Sequence, residues 1–177
     1  MLKTILIVLA AIVAMLAGYA ATRPDHFRVE RSIVIQSPPA TIFPLIDTLR
    51  YWQDWSPWVR KDPAMERTLS GPESGTGAVY AWKGNSDVGE GRMEIIESVP
   101  HARIRLRLDF VRPFEARNTA EFILSPVGQG TRVTWSLSGP SPFQSRLIGL
   151  FVDTEEMIGK DFEAGLDALK LQAEPKG

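Results

Sequence analysis

The sequence predicts an α+β domain behind an amino-terminal apolar helix. Three observations carry this: residues 142–172 hold one long amphipathic pattern, residues 65–137 hold short alternating runs between turn residues, and residues 5–21 are apolar or small throughout. Hairpin-linked strands are antiparallel and need one face covered. The only element long enough to cover it is the carboxy-terminal helix, which fixes the class.

The 177 residues, 44% hydrophobic and 23% charged, suit one globular domain at 25–177. A net charge of -1 and a pI near 6.1 point away from nucleic acid. Zero cysteines exclude disulfides, thiolate metal sites and a thiol nucleophile. Residues 1–24 form a separate object, a transmembrane anchor or a signal peptide, with Lys3 before the apolar run and Arg23 after it. A bilayer core needs roughly 17 to 20 helical residues, which residues 5–21 just supply. Gly18-Tyr19-Ala20 offers a small-x-small cleavage pattern for the signal-peptide alternative, but signal cores run about 7 to 15 residues, so length favours a single-pass anchor. Lys3 favours export of the domain while Arg23, Arg28 and Arg31 oppose it; the reading leans to the exported, periplasmic side.

Past a short linker with Pro24, Phe27, Val29, Ile33 and Ile35 share one face of a strand, with Arg31 out of place on that face. Ser37-Pro38-Pro39 stops it and starts a helix through Ala40, Ile42, Phe43, Leu45 and Ile46. A short helical piece follows at residues 49–58, with Trp52, Trp55 and Trp58 at three-residue spacing. Strands are predicted at 65–69, 78–83 and 91–99, divided by glycine-rich turns. Ile104, Leu106, Leu108 and Phe110 alternate with Arg103, Arg105, Arg107 and Asp109 in the cleanest half-buried strand. Residues 116–124 and 131–137 pair through the turn Gly128-Gln129-Gly130, giving about seven strands in all. The closing helix has Leu147, Phe151, Thr154, Ile158, Phe162, Leu166 and Leu169 on one face and an i,i+4 Glu156–Lys160 pair on the other. Its start signal is Ser141-Pro142, and its stop runs through Glu174, Pro175 and Gly177.

The opening strand leading into Ser37-Pro38-Pro39-Ala40, the run from Trp52 to Trp58 (WQDWSPW), the turn at residues 71–77, Trp82-Lys83-Gly84-Asn85 and the terminal GKDFEAGL at residues 159–166 occur in an order that resembles the SRPBCC superfamily. That is the helix-grip group of the START domains, the birch pollen allergen and bacterial polyketide cyclase/dehydrase-like proteins, some of which carry an amino-terminal membrane helix. The resemblance covers residues 27–173 and implies a curved antiparallel sheet gripping the last helix, with a cavity between them for apolar ligands. It implies no particular reaction.

Signals of chemistry are thin, and no catalytic residue, metal site or cofactor is expected. His26 and His101 sit at a strand start and a turn, without a ligand spacing, and Ser56 lies in a proline-flanked loop without a base. On the parity of the strands the cavity face carries Tyr80, Trp82, Met93, Ile95, Leu106, Leu108, Phe110, Asn118, Phe122 and Trp135, with Ile158 and Phe162 from the helix. The competing reading is that these residues fill a core. Asn118 is polar at an apolar position and needs a partner, as a structural amide or a ligand anchor. Glu90, between two glycines, is a candidate for the cavity mouth or a turn. Gly149, Gly159 and Gly165 weaken the closing helix by about 1 kcal/mol each, allowing either close strand approach or room for a ligand. Trp52, Trp55 and Trp58 staple the short helices, or else form a cavity mouth that touches the membrane.

Together these point to a membrane-tethered protein that binds a small hydrophobic or amphipathic, lipid-like or aromatic ligand without chemistry. The alternatives are a cyclase-like enzyme using Asn118 to orient its substrate, and an interaction module regulating a membrane partner. No protein partner can be named from the sequence.

Overall fold

The computed structural model describes residues 2–174, so Pro175 and Gly177 of the expected helix stop lie outside the described residues. Its elements are α1 (Leu2–Thr22), β1 (His26–Ile35), α2 (Pro39–Asp47), a 3-10 turn (Leu49–Tyr51), α3 (Trp52–Trp55) and α4 (Pro57–Lys61). Strands β2 (Glu66–Ser70), β3 (Val79–Lys83), β4 (Glu90–Val99), β5 (Arg103–Arg112), β6 (Ala116–Val127) and β7 (Gly130–Pro140) follow, then α5 (Phe143–Ile148) and α6 (Thr154–Ala173). All seven strands form one antiparallel sheet in the order β1-β7-β6-β5-β4-β3-β2. The opening strand thus returns to pair with the last, and α6 packs across the concave face.

Alternation at period two decides which side chains meet α6. Ile104 and Leu106 of β5, Ala120, Phe122 and Leu124 of β6, and Val133, Trp135 and Leu137 of β7 turn inward and are buried. Phe162, Leu166 and Leu169 of α6 close on them. The outward positions carry a continuous charge ladder. Arg92 and Arg107 both reach Glu94 (2.9 and 2.6 Å), Arg107 and Arg117 reach Asp109 (3.2 and 2.7 Å), and Arg103 and Arg105 reach Glu97.

The closing helix differs from the single run expected at 142–172. It is broken between Ile148 and Thr154: Gly149 ends α5 by donating its N–H to the Ser145 carbonyl, and the Asp153 carboxylate caps α6 by accepting from the Glu156 N–H at 2.9 Å. Phe151, placed by periodicity on the buried face, is 73% exposed in the break. The Asp153…Glu156 spacing is a cap signature that marks the true start of the helix. The Glu156–Lys160 pair forms at 2.7 Å.

Two helix glycines serve close approach. A Cβ at Gly165 would lie 2.8 Å from Cζ3 of Trp135 and 3.0 Å from Cδ of Pro57, both rigid groups. At Gly159 the neighbour is the guanidinium of Arg31, which donates to Glu163 at 2.8 Å. This accounts for an arginine on the apolar face of β1: its head group lies along the α6 backbone and escapes to solvent beside Glu163.

Alanine at either position gains about 1 kcal/mol of helix propensity. At Gly165 the overpacking cost of about 1–3 kcal/mol exceeds it, so Gly165→Ala is expected to lower stability by about 1 kcal/mol. Gly159→Ala, where only a flexible side chain must move, is expected within about 0.5 kcal/mol of wild type. Denaturant unfolding of the full chain in detergent micelles reads both.

The ladder also sets an acid limb. Hydrogen bonds from Arg103 to Glu97 and from Arg117 to Asp109 hold both carboxyls below their usual range. Because the folded values are lowered, their contribution to stability is present above the unfolded values of about 4 and is lost as pH falls through the folded ones. The Arg103→Gln, Arg117→Gln double variant should show carboxyl NMR titrations of Glu97 and Asp109 moved up towards about 4, and a shallower loss of stability between about pH 5 and 3 than wild type.

Candidate functional site: a cavity between sheet and helix

In an antiparallel sheet with this order, the start of β1, the end of β7 and the β5–β6 and β3–β4 turns all lie at one end. At the other end the groove under α6 is filled. Ile42 and Ile46 of α2 are fully buried there, and Trp52 and Trp55 pack edge-on against both Phe122 and Trp135 at 5.7–6.2 Å between ring centres. Their indole N–H groups donate to the carbonyls of Ile46 (2.8 Å) and Leu45 (2.9 Å).

Towards the β3–β4 turn a cavity of about 240 Å³ remains. Its sheet wall is Tyr80, Trp82, Met93, Leu108, Phe110, Ala120, Trp135 and Leu137; Ile158 and Phe162 of α6 roof it. Trp52, Ser56 and Trp58 close the inner end, and Lys61, Asp87, Met157 and Asp161 stand at its rim. Lys61 and Asp161 pair at 2.6 Å, tying α4 to α6. Trp82 lies across Gly91 of the neighbouring strand, where a Cβ would meet the ring at 2.7 Å, and its N–H donates to the Val88 carbonyl at 3.1 Å. That bond holds the β3–β4 turn against the wall.

Eight of the twelve residues placed on the cavity face by strand and helix parity line this space: Tyr80, Trp82, Met93, Leu108, Phe110, Trp135, Ile158 and Phe162. Ile95, Leu106, Phe122 and Asn118 do not. Leu106 and Phe122, like Ile95, are wholly buried in the filled half, where the tryptophans occupy the groove that parity alone leaves open. Asn118 is buried opposite Leu108, with its Oδ1 against Gly139 and without a hydrogen-bond partner among the described residues. Glu90 pairs with Arg112 at 3.1 Å and stays off the cavity wall. The three tryptophans also separate: Trp52 and Trp58 line the inner end, whereas Trp55 is 1% exposed behind them. Trp52 and Trp55 are therefore core residues that no bilayer could touch, correcting the membrane-contact reading. Sequence reasoning passed over Met65, Val88, Ala120, Leu137 and Met157, which also line the space. The inward parity of Ala120 and Leu137 on their strands was the available signal.

The polar groups on the walls are few. Burial pushes the Tyr80 phenol above its usual value, so it is a neutral hydroxyl. Trp135 stacks on Phe162 at 4.1 Å with only 5° between the rings, and its Cζ3 edge closes on Gly165. The indole nitrogen is at the far edge of the ring from Cζ3, is buried, and finds no acceptor among the described residues. His26 and His101 are exposed and remote from these walls. Among the described residues no three His, Asp or Glu side chains cluster as a metal site.

Similar solved structures share the fold at low identity. Ginseng major latex-like protein 151 from Panax ginseng matches with a TM-score of 0.62 at 12% identity, over 86% of this chain and all of its own. The Aha1 dimer from Colwellia psychrerythraea matches at 0.61 and 17% identity, over 85% and 99% of the two chains. Protein CV1439 from Chromobacterium violaceum matches at 0.58 and 17%, over 87% and 100%. No curated protein matches the sequence. The family model described as polyketide cyclase / dehydrase and lipid transport matches residues 26–174, from the first residue of β1 to the last described residue after α6. A helix-grip sheet, a roofing helix and a cavity between them thus coincide with the span of that match, and the chain belongs to the polyketide cyclase / dehydrase and lipid transport family.

Proposed function

We propose that the chain is a membrane-tethered binding protein that holds a small hydrophobic or amphipathic ligand between its sheet and α6, without altering it. The observation that carries this is the aromatic-walled space of about 240 Å³ left open in an otherwise closely packed groove. Apolar walls with one or two oriented polar groups are the ordinary make-up of a small-molecule site. The volume lies just below the roughly 300–1,000 Å³ of drug-sized sites, so it suits one or two rings or the end of a chain. Trp135 is a wall residue whose N–H is buried without an acceptor among the described residues, and an acceptor oxygen of an amphipathic ligand that reached it would relieve that desolvation cost.

The tether is α1. Its 21 residues, with a mean hydropathy of 2.4 over the best window, reach about 31 Å, against a hydrocarbon core of about 30 Å. Lys3 ahead of it favours an exported domain. A cyclase-like reading built on Asn118 lacks support, since that side chain is off the cavity wall. An interaction module built on the tryptophans meets the burial of Trp52 and Trp55.

Native mass spectrometry of full-length protein taken from membranes, followed by denaturing extraction, tests both parts. A chain mass near 19.7 kDa with a retained apolar molecule is the expected result. An empty protein would overturn the binding reading, and loss of about the first twenty residues would overturn the tether. Ala120→Phe, which projects a ring into the cavity, should cut the retained fraction about tenfold while leaving unfolding near wild type, because it fills space in place of displacing neighbours.

The donor can be tested separately. Trp135→Phe keeps an aromatic ring against Phe162 but removes the N–H. The preference for 2-naphthol over naphthalene, measured by calorimetric titration, should fall about fivefold, the equivalent of about 1 kcal/mol for one neutral hydrogen bond. An unchanged ratio would show that the indole does not contact the ligand.

A further inference from the structure

The end of the domain that carries the cavity rim is also the end joined to α1. Only three residues, Arg23 to Asp25, separate α1 from the start of β1. The join is reinforced by Arg146 of α5, whose Nη1 donates to the carbonyls of Arg23 (3.0 Å) and Ala21 (3.3 Å). Helix α5 packs on α1, and Ala20 at the end of α1 is fully buried. Tyr19 and Arg23 stack at 5.3 Å, the aromatic and cationic pair expected where a span leaves the hydrocarbon. A helix of this length places those residues at the membrane boundary, so the contacts of Arg146 hold α5 at the depth of the head groups.

At this same edge the protein exposes large apolar side chains that none of the described residues covers. Phe143, Ile148, Phe151 and Val152 belong to α5 and the break after it, and Phe114, 73% exposed, tips the β5–β6 turn. The turns at the opposite end of the sheet, at residues 71–77, 100–102 and 128–129, contain no Phe, Trp or Tyr. Gly149 and the Asp153 cap are what turn this segment out of the helical line, which would otherwise carry it along the α6 axis.

We propose that residues 143–152 and Phe114 rest in the interfacial layer of the bilayer that α1 spans, so that the cavity rim at Met157 and Asp87 opens at the membrane surface and ligand enters from the lipid phase. An apolar face continuous with the end of a transmembrane helix has the bilayer as its nearest cover, and short segments of this character bury their apolar side in the head-group boundary. The seat rests on α1 being retained as an anchor; the entry route rests in addition on the cavity reading above.

The absence of cysteine allows a direct test on the full chain. Phe151→Cys, Phe114→Cys and, at the opposite end, Gln129→Cys would each carry a nitrobenzoxadiazole label in vesicles of phosphatidylcholine and phosphatidylglycerol containing doxyl-labelled lipid. All three positions are exposed, so labelling leaves the core intact. Quenching about threefold greater at Phe151 and Phe114 than at Gln129 is the expected result. Equal quenching at all three would overturn the proposal. So would shielding of the Phe151 label from aqueous iodide that rises with protein density without doxyl quenching, which would give the face to a second copy. Retained ligand with unquenched labels would overturn the seat and leave the cavity reading standing. Quenched labels on an empty protein would support the seat and overturn the cavity reading.

Discussion

The approach of α6 to the sheet at Trp135 governs the rest of the domain. Phe162 lies flat on the indole at 4.1 Å, and the missing side chain of Gly165 lets the Cζ3 edge of the ring come in beside the helix backbone. Edge-on packing of Trp52, Trp55 and Trp58 against the same indole, and the stack of Phe122 on it at 4.8 Å, then fix α3 and α4. Aromatic pairs in these geometries contribute about 0.5–1.5 kcal/mol each beyond burial. One side chain thus joins sheet, long helix and short helices.

The same cluster decides where space remains. The groove is filled on the side where α2 and α3 deliver their aromatic and branched side chains. Beyond Trp52 and Trp58 no further helix reaches in, and the walls there are strands whose inward residues stand apart across a curved sheet. The cavity is a consequence of two short helices stopping at Lys61. Its rim is tied off by Lys61 and Asp161, and the β3–β4 turn is held against it by the Trp82 hydrogen bond to Val88.

Strand parity was legible because it depends on local alternation. Strand alternation alone places six of the cavity-wall residues, Tyr80, Trp82, Met93, Leu108, Phe110 and Trp135, and helical period adds Ile158 and Phe162. The division of the groove into filled and open halves was not legible, since it depends on how far α3 reaches across the sheet; Leu106 and Phe122 have the same parity as Leu108 and lie in the closed half. The break in the closing helix was masked by a helical period that continues through Leu147, Phe151 and Ile158, although the Asp153 cap was in plain sequence. The tryptophan run misled for a related reason. Three-residue spacing places indoles on one face but does not say whether that face meets water, and here the carbonyls of Ile46 and Leu45 supply the partners that let Trp52 and Trp55 be buried.

The chemistry available to the cavity follows from where the charges went. Arginine and carboxylate on the sheet are committed to each other on the outward face, where Arg103 and Arg117 keep Glu97 and Asp109 ionised. The polar residues lining the cavity are Ser56, Tyr80, whose phenol burial keeps protonated, and Trp135, with Lys61, Asp87 and Asp161 at the rim. Such groups can orient an oxygen of a bound molecule. Five of the exposed large apolar side chains, Phe114, Phe143, Ile148, Phe151 and Val152, lie at the edge where α1 enters. That grouping beside a membrane-length helix, together with outward-facing charge pairs on the sheet, is consistent with the proposed holding and exchange of an apolar molecule at a lipid surface.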